Sequence, residues 1–436
     1  MPTSNATRSK PGEPMTIEPR HPRRALTRRR FLVGAAALAG TAAAAAVDLD
    51  AHAHDRRGGP APVALGAQPA GLPVRQHAWD ATLTRDADGN PVAPRHDRLL
   101  FFDVDGRPSL GHATRLEATL RTLERRFPWG PQGLLFLVAY GPRYFTRAVG
   151  RAAPIPTATP LSDFELPAID HYDLVIHLAS DDQRRLHDVE DTLVRGARLL
   201  GADGPLDLSA VLTWRETRTG FTGVGLPAAH QDVGGIPASH PVAPGSPMYM
   251  GFRSSLKRNQ ASEDAVTIPA GPFAEGTTMH VSYMRLRLNS WYGDLSADER
   301  VARMYAPQIT RRQVSELTTD AESDPRLLPE SIDHYGVIGH AQACARARRD
   351  GKPIILRRDF DTTDGGEAGL QFVALQRAIA DFVAVRTAMN QTAAQLQTPA
   401  ITDTVNNGIN EYIFVLRRGN YIVPARAARS FPMLSA

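Results

Sequence analysis

Residues 172–200 read YDLVIHLASDDQRRLHDVEDTLVRGARLL. The apolar run bounded by polar residues predicts a strand over 172–180, and the rhythm that follows predicts an amphipathic helix over 182–200. On the N-terminal side, RLLFFDV (98–104) predicts a strand, Leu116, Leu120, Leu123 and Phe127 form a helical stripe ended by Pro128, and GLLFLVAYG (133–141) predicts another strand. On the C-terminal side, LSAVLTW (208–214) predicts a fourth strand. The order βαββαβ is that of a ferredoxin-like unit, which spans residues 95–215.

Residues 216–275 break the rhythm with a stretch dense in Gly, Pro and Ala, and loops of this length in a compact domain are functional or disordered. Regular structure resumes with a strand at TTMHVSYMRLRL (277–288) and a helix through SADERVARMY (296–305). Further strands are expected at PIILRR (353–358) and EYIFVL (411–416), with a long helix over 374–390. Residues 276–425 thus make a second, looser pass of the same order. No sequence repeat links the halves, so the duplication rests on element order alone. The expected fold class is α+β, with two ferredoxin-like (βαββαβ) units forming a dimeric α+β barrel-like arrangement in a single chain.

The first 53 residues read as a signal rather than a fold. A basic region, an apolar run from Phe31 to Val47 and small residues at Ala51 and Ala53 precede the domain, and Thr27-Arg28-Arg29-Arg30-Phe31-Leu32 matches the twin-arginine export pattern. The expected partner is the twin-arginine translocation machinery, and the expected location is the periplasm, cell envelope or exterior. The alanine-rich run is a poor permanent membrane span, and no other stretch approaches span length. Residues 54–94, rich in Gly, Pro and Ala, read as a linker or N-terminal arm.

That segment also carries the charge. Residues 1–53 hold eight Lys or Arg and four Asp or Glu, a surplus equal to the +4 of the whole chain, so the remainder is formally neutral. A nucleic-acid partner, which requires a basic face, is not expected. The single cysteine, Cys344, excludes an intramolecular disulfide. Export of an already folded chain without disulfides points to a cofactor inserted before export.

Short motifs add little by themselves. Met248, Met250, Met279 and Met284 could ligate a soft metal, but core methionines are the plainer reading. HAHD (52–55) could bind a metal, although cleavage after Ala53 would split it. GPRYFTRAVG (141–150) lacks the spacing of a nucleotide loop. By residue type alone, His340 reads as a surface histidine at a helix start and Arg357-Arg358 as a solvated strand end.

Five segments, in this order and spacing, carry a resemblance: LPAIDHYDLVIHLASDD (166–182), RLRLNSWYGDLSADERVARM (285–304), GHAQACARARRDGKPIILRRDF (339–360), GEAGLQFVALQRAIADFV (366–383) and YIFVLRRGNY (412–421). Together they resemble the dye-decolorising (DyP-type) haem peroxidases over most of residues 95–420. The resemblance implies haem b, with His340 as the iron ligand seventeen residues before Arg357. It implies that Arg357 holds peroxide on the distal face. Arg358 alternates to the other face of the strand, as a haem propionate partner, a carboxylate partner or an exposed residue. The implied substrates are hydrogen peroxide and an organic electron donor, with Trp79, Trp129, Trp214 and Trp291 as candidate relays or core residues; a homo-oligomer stays open.

One departure stands out. The family's GFxDG motif supplies a distal aspartate, whereas GFTGVG (220–225) has Gly223 at that place. Asp232 and His230 are the nearest replacements in sequence. A non-enzymatic haem-binding or haem-handling protein is therefore the alternative function, and a fold retained without haem is a third.

Overall fold

The computed structural model describes residues 71–434 except 198, 200–205, 255, 317–321 and 392–395; the expected export signal and HAHD lie outside the described residues. The N-terminal unit runs β1 (His96–Val104), α1 (Leu110–Arg126), β2 (Leu135–Tyr140), β3 (Leu174–Ser180), α2 (Gln183–Arg195) and β4 (Leu212–Phe221). The C-terminal unit runs β5 (Thr277–Leu286), α3 (Ala297–Met304), α4 (His340–Ala345), β6 (Phe360–Thr362), β7 (Gly369–Gln376), α5 (Ile379–Asn390) and β8 (Ile413–Val423). Within each unit the strands lie in the ferredoxin-like order, β2-β3-β1-β4 and β6-β7-β5-β8.

The two half-sheets join at both edges. Phe221 of β4 pairs with Asp361 of β6, and Tyr140 of β2 pairs with Ile422 of β8, so eight antiparallel strands close into a barrel. Closure removes the sheet edges that would otherwise template pairing with another chain. Ala168–Ile169 adds a short parallel strand outside β8, and Leu356–Arg357 pairs with β7 just before β6.

Strand alternation sorts the apolar residues into two layers. Leu99 and Phe101 of β1 point into the barrel, where they meet Leu137, Val175, Met279, Val281, Phe360 and Val373. Leu100, Phe102 and Val104 point outward and pack beneath α1 and α2, with Leu116, Leu120, Leu123, Leu186 and Val189. Both faces of β1 are thus covered, which is why its centre, Leu99 to Phe102, is apolar without interruption. Residues 71–94 include part of the expected arm: Trp79 is 1% exposed and fills the barrel interior, and the Gln76 side chain bonds the backbone of Val138 in both directions.

Among the element boundaries that differ from the sequence-based expectation, three have a plain physical reason. Helix α2 stops at Arg195 rather than 200, where Gly196 takes a left-handed conformation with φ of 67°. Strand β4 continues through the charged stretch to Phe221, because it pairs with β1 from Val104↔Leu212 to His96↔Phe221 and its charges find partners: Arg215 with Asp103 at 2.8 Å, Arg218 with Asp170 at 2.9 Å. Residues 374–376 belong to β7 and not to the helix. Cross-strand pairing with β5, from Arg285↔Gly369 to Thr278↔Gln376, overrides the helical pattern there.

Candidate functional site

The outer face of the N-terminal half-sheet is filled by α1 and α2. The corresponding face of the C-terminal half-sheet holds a cavity of about 180 Å³. Its walls are Met284 and Leu286 from β5, Leu370 and Phe372 from β7, Phe382 and Met389 from α5, and His340 and Cys344 from α4. Loop residues 248–259 close one side and the Arg357–Asp361 stretch another.

His340 is placed by two glycines. At Gly339 a Cβ would stand 1.9 Å from the Tyr305 carbonyl oxygen, so only glycine allows the chain to enter α4 there. Gly408, with φ of 55°, backs the histidine so closely that a Cβ would lie 3.0 Å from the His340 Cα. The Gly408 amide donates to the Ile338 carbonyl at 2.8 Å, tying this turn to the start of α4. One helical turn along, the Cys344 Sγ lies 3.8 Å from His340 Nδ1, which leaves Nε2 without a hydrogen bond among the described residues. Burial, reinforced by the charges of Arg357 and Arg386, pushes the imidazole down to about 3 and keeps it neutral, the form that ligates a metal.

Arg357, Asp359 and Asp361 all line the same cavity. They recur at every second residue, so an extended chain presents them on one face. The Arg357 Nη2 donates to the carbonyl oxygens of Ser254 at 2.7 Å and Asn259 at 3.4 Å, while its Nε is buried with no hydrogen-bond partner. Asp359 accepts from the Ser254 hydroxyl at 2.6 Å and the Val373 amide at 3.2 Å. Burial pushes its carboxyl up to about 6 against the opposing pull of Arg357. Asp361 accepts from the Tyr249 amide at 2.6 Å, and burial holds it well above the ordinary carboxylate range. Sequence reading missed both carboxyls, although the period of two from Arg357 marks them.

The β8 side of the cavity is cationic. Arg418 pairs with Glu165 at 2.8 Å, and Arg386 reaches the same carboxylate at 3.4 Å. One carboxylate therefore faces two buried guanidinium groups. The Arg386 Nε has no hydrogen-bond partner, and burial pushes this group down to about 10.

The remaining expected site residues lie elsewhere. Arg358 lies outside the cavity lining, with its guanidinium 4.2 Å from the Trp79 ring centroid and bonded to Glu263 at 2.9 Å, the carboxylate-partner alternative among those expected. His230 stacks on Phe221 at 4.2 Å and bonds the Leu226 carbonyl at 2.9 Å, Asp232 is exposed, and neither lines the cavity. Gly223, whose amide donates to the Pro247 carbonyl at 2.9 Å, is also outside the cavity lining. Met248, Met250 and Met284 do line the cavity, joined by Met304 and Met389, whereas Met279 faces the barrel interior. Trp79 and Trp291 are core residues and Trp214 is 42% exposed. Among the described residues no cluster of three or more His, Cys, Asp or Glu could hold a metal ion, and no helix is long and apolar enough to cross a membrane.

A model of a family of unknown function, DUF7405, matches residues 94–425. The chain belongs to the DUF7405 family. No curated protein matches it. Solved structures similar to this DUF7405 member include ferric DtpA from Streptomyces lividans, 21% identical with a TM-score of 0.56, covering 84% of this chain and 95% of that one. A DyP-type peroxidase from Streptomyces coelicolor is 20% identical with a TM-score of 0.53, covering 82% and 96%. One from Cellulomonas bogoriensis is 19% identical with a TM-score of 0.53, covering 78% and 94%. The DUF7405 chain therefore has the DyP-type fold, a closed eight-stranded antiparallel barrel of two ferredoxin-like units.

Proposed function

We propose that this DUF7405 protein is an exported haem peroxidase of the DyP type, binding haem b and using hydrogen peroxide to oxidise an organic donor. The observation that carries the reading is a neutral imidazole and a fixed guanidinium, His340 and Arg357, lining one apolar cavity. The residues present fit haem: the apolar walls suit a macrocycle, His340 Nε2 is the ring nitrogen left to hold iron, and the unpartnered Nε of Arg386 suits a propionate. Haem would supply the redox centre that exchanges electrons with peroxide and donor.

The chain's own groups do the rest. Arg357, tethered through Nη2 to backbone carbonyls, presents a positive charge that needs no reorganisation when negative charge grows on a peroxide oxygen. The apolar walls restrict water. Protein produced with ample haem should show a stoichiometric Soret band. His340→Ala should lose most of that band while its far-ultraviolet circular dichroism stays as in the parent, because both hydrophobic layers of the barrel form without this residue. An undiminished band in the variant rejects His340 as the ligand.

The non-enzymatic haem-binding reading draws on a different observation. Five methionines and Cys344 line the cavity, and thioethers and thiols are readily oxidised by peroxide chemistry. Oxidation of an organic donor by the holoprotein at a rate no greater than that of free haem favours it.

A further inference from the structure

Reduction of hydrogen peroxide is accelerated by a positioned group that removes a proton from one oxygen and returns it to the other. In the resemblance stated above that group belongs at residue 223, which is glycine and lies outside the cavity. Among the described residues lining the cavity, the carboxyl groups are those of Asp359 and Asp361. They stand on a different element from the expected loop and share the face that presents Arg357.

The two are not equivalent. Asp361 is 1% exposed and bonded to the Tyr249 amide, and burial holds its carboxyl well above the ordinary carboxylate range. The Arg357 charge pulls on the Asp359 carboxyl, and the Ser254 hydroxyl and Val373 amide leave each of its oxygens with a further lone pair. Like charges oppose joint ionisation, so the ionisation available near neutral pH falls to the residue beside the guanidinium.

We propose that Asp359 is the acid–base residue of this cavity, acting beside Arg357; the proposal rests on the haem-peroxidase reading above. The ionised Asp359 takes the proton from one peroxide oxygen and delivers it to the other. The O–O bond then breaks with both its electrons leaving on the oxygen that departs as water, and the Asp359 carboxylate is regenerated. The second oxygen is reduced to water by two electrons from the organic donor, with two protons. Arg357 keeps its proton throughout.

The pH dependence follows from the base form being the active one. The other charged and titratable groups lining the cavity are Arg357 and Asp361 on its own stretch, His340 and Cys344 on α4 with Arg348 beyond it, Arg253 and Tyr305, Arg386 on α5 and Arg418 on β8, while β7 contributes the Val373 amide. The rate with peroxide therefore rises with pH through about 6. A raised carboxyl also binds its proton more tightly in the folded state than in the unfolded one, so it contributes stability at low pH that is lost as pH rises through its folded value. Asp359→Asn should consequently raise the melting temperature relative to the parent above pH 7 and not below pH 4.

The test compares holoprotein of the parent, Asp359→Asn and the exposed-loop control Asp232→Asn. Soret intensity, the bimolecular rate with hydrogen peroxide by stopped flow between pH 4.5 and 8, and the infrared band of a protonated carboxyl are measured for each. Asp359→Asn should retain the full Soret band, lose a carboxyl band that titrates near pH 6, lose the rising limb of the pH profile, and react ~10²–10⁴-fold more slowly above it. Asp232→Asn should match the parent. A full Soret band with an unchanged rate and pH limb in Asp359→Asn overturns the proposal alone. A parent protein with no Soret band overturns the haem reading and the proposal with it.

Discussion

Gly408 and His340 show how single residues set the site. The glycine has φ of 55°, and a Cβ there would stand 3.0 Å from the His340 Cα and 3.2 Å from its Cβ. Gly408→Ala therefore combines a left-handed backbone penalty of roughly 1–2 kcal/mol with displacement of the histidine. The variant should melt several degrees lower and hold haem more weakly, read by thermal denaturation and by haem titration. A lower melting temperature with unchanged haem affinity would show that the turn stabilises the fold without positioning His340. At this scale much of the site was legible. Arg357 and His340, the residues the resemblance singles out, line one cavity, and alternation sends Arg358 to the opposite face. The same alternation carried two and four residues further reaches Asp359 and Asp361. Asp232 and His230, near the GFTGVG loop in sequence, stand outside the cavity.

At the scale of elements, α1 is held from outside by the end of the chain. Glu124 bonds Arg429 at 2.5 Å and also Arg426, Glu117 accepts from Arg429 at 3.1 Å, and all four side chains are buried. Burial disfavours the charge on Glu124, yet the hydrogen bonds and charge of Arg429, with Arg426 and Arg121, hold its carboxyl below the ordinary value of 4.5. A depressed carboxyl contributes stability that is present above its unfolded value and lost as pH falls through its folded one. Glu124→Gln leaves buried guanidinium charge without its counterion and should cost about 3–5 kcal/mol. The gap in melting temperature between parent and variant should be full at pH 6 and should close as pH falls below 4.5. A gap that is constant down to pH 3 would mean that shape rather than charge joins α1 to this segment. The strands misread in sequence obey the same physics: β4 and β7 look like loop and helix locally, and only pairing with β1 and β5 makes them strands.

On the scale of the whole molecule, the barrel separates two environments. Trp79 and Arg358 occupy its interior side, and the His340 cavity lies on its outer side. Trp79→Ala should empty part of the interior and cost about 3–5 kcal/mol, measured by denaturant unfolding. Haem retained per folded molecule should not change, since the cavity does not include this residue. Loss of haem in step with stability would instead couple the two faces.

The sequence by itself determined the α+β class and the ferredoxin-like order of the N-terminal unit. These depend on local periodicity and on spacing along one stretch of chain, which are properties of neighbours in sequence. Tertiary structure alone decided that the C-terminal half-sheet encloses a cavity where the N-terminal one is filled, that Asp359 and Asp361 carry raised carboxyls there, and that Arg358, His230 and Asp232 stand apart. Those outcomes depend on which distant segments remove a group from water and which charges they bring beside it. Residues 248–259 and 370–389 set that environment for Asp359, and nothing within its own heptapeptide IILRRDF or the two residues after it could report their approach.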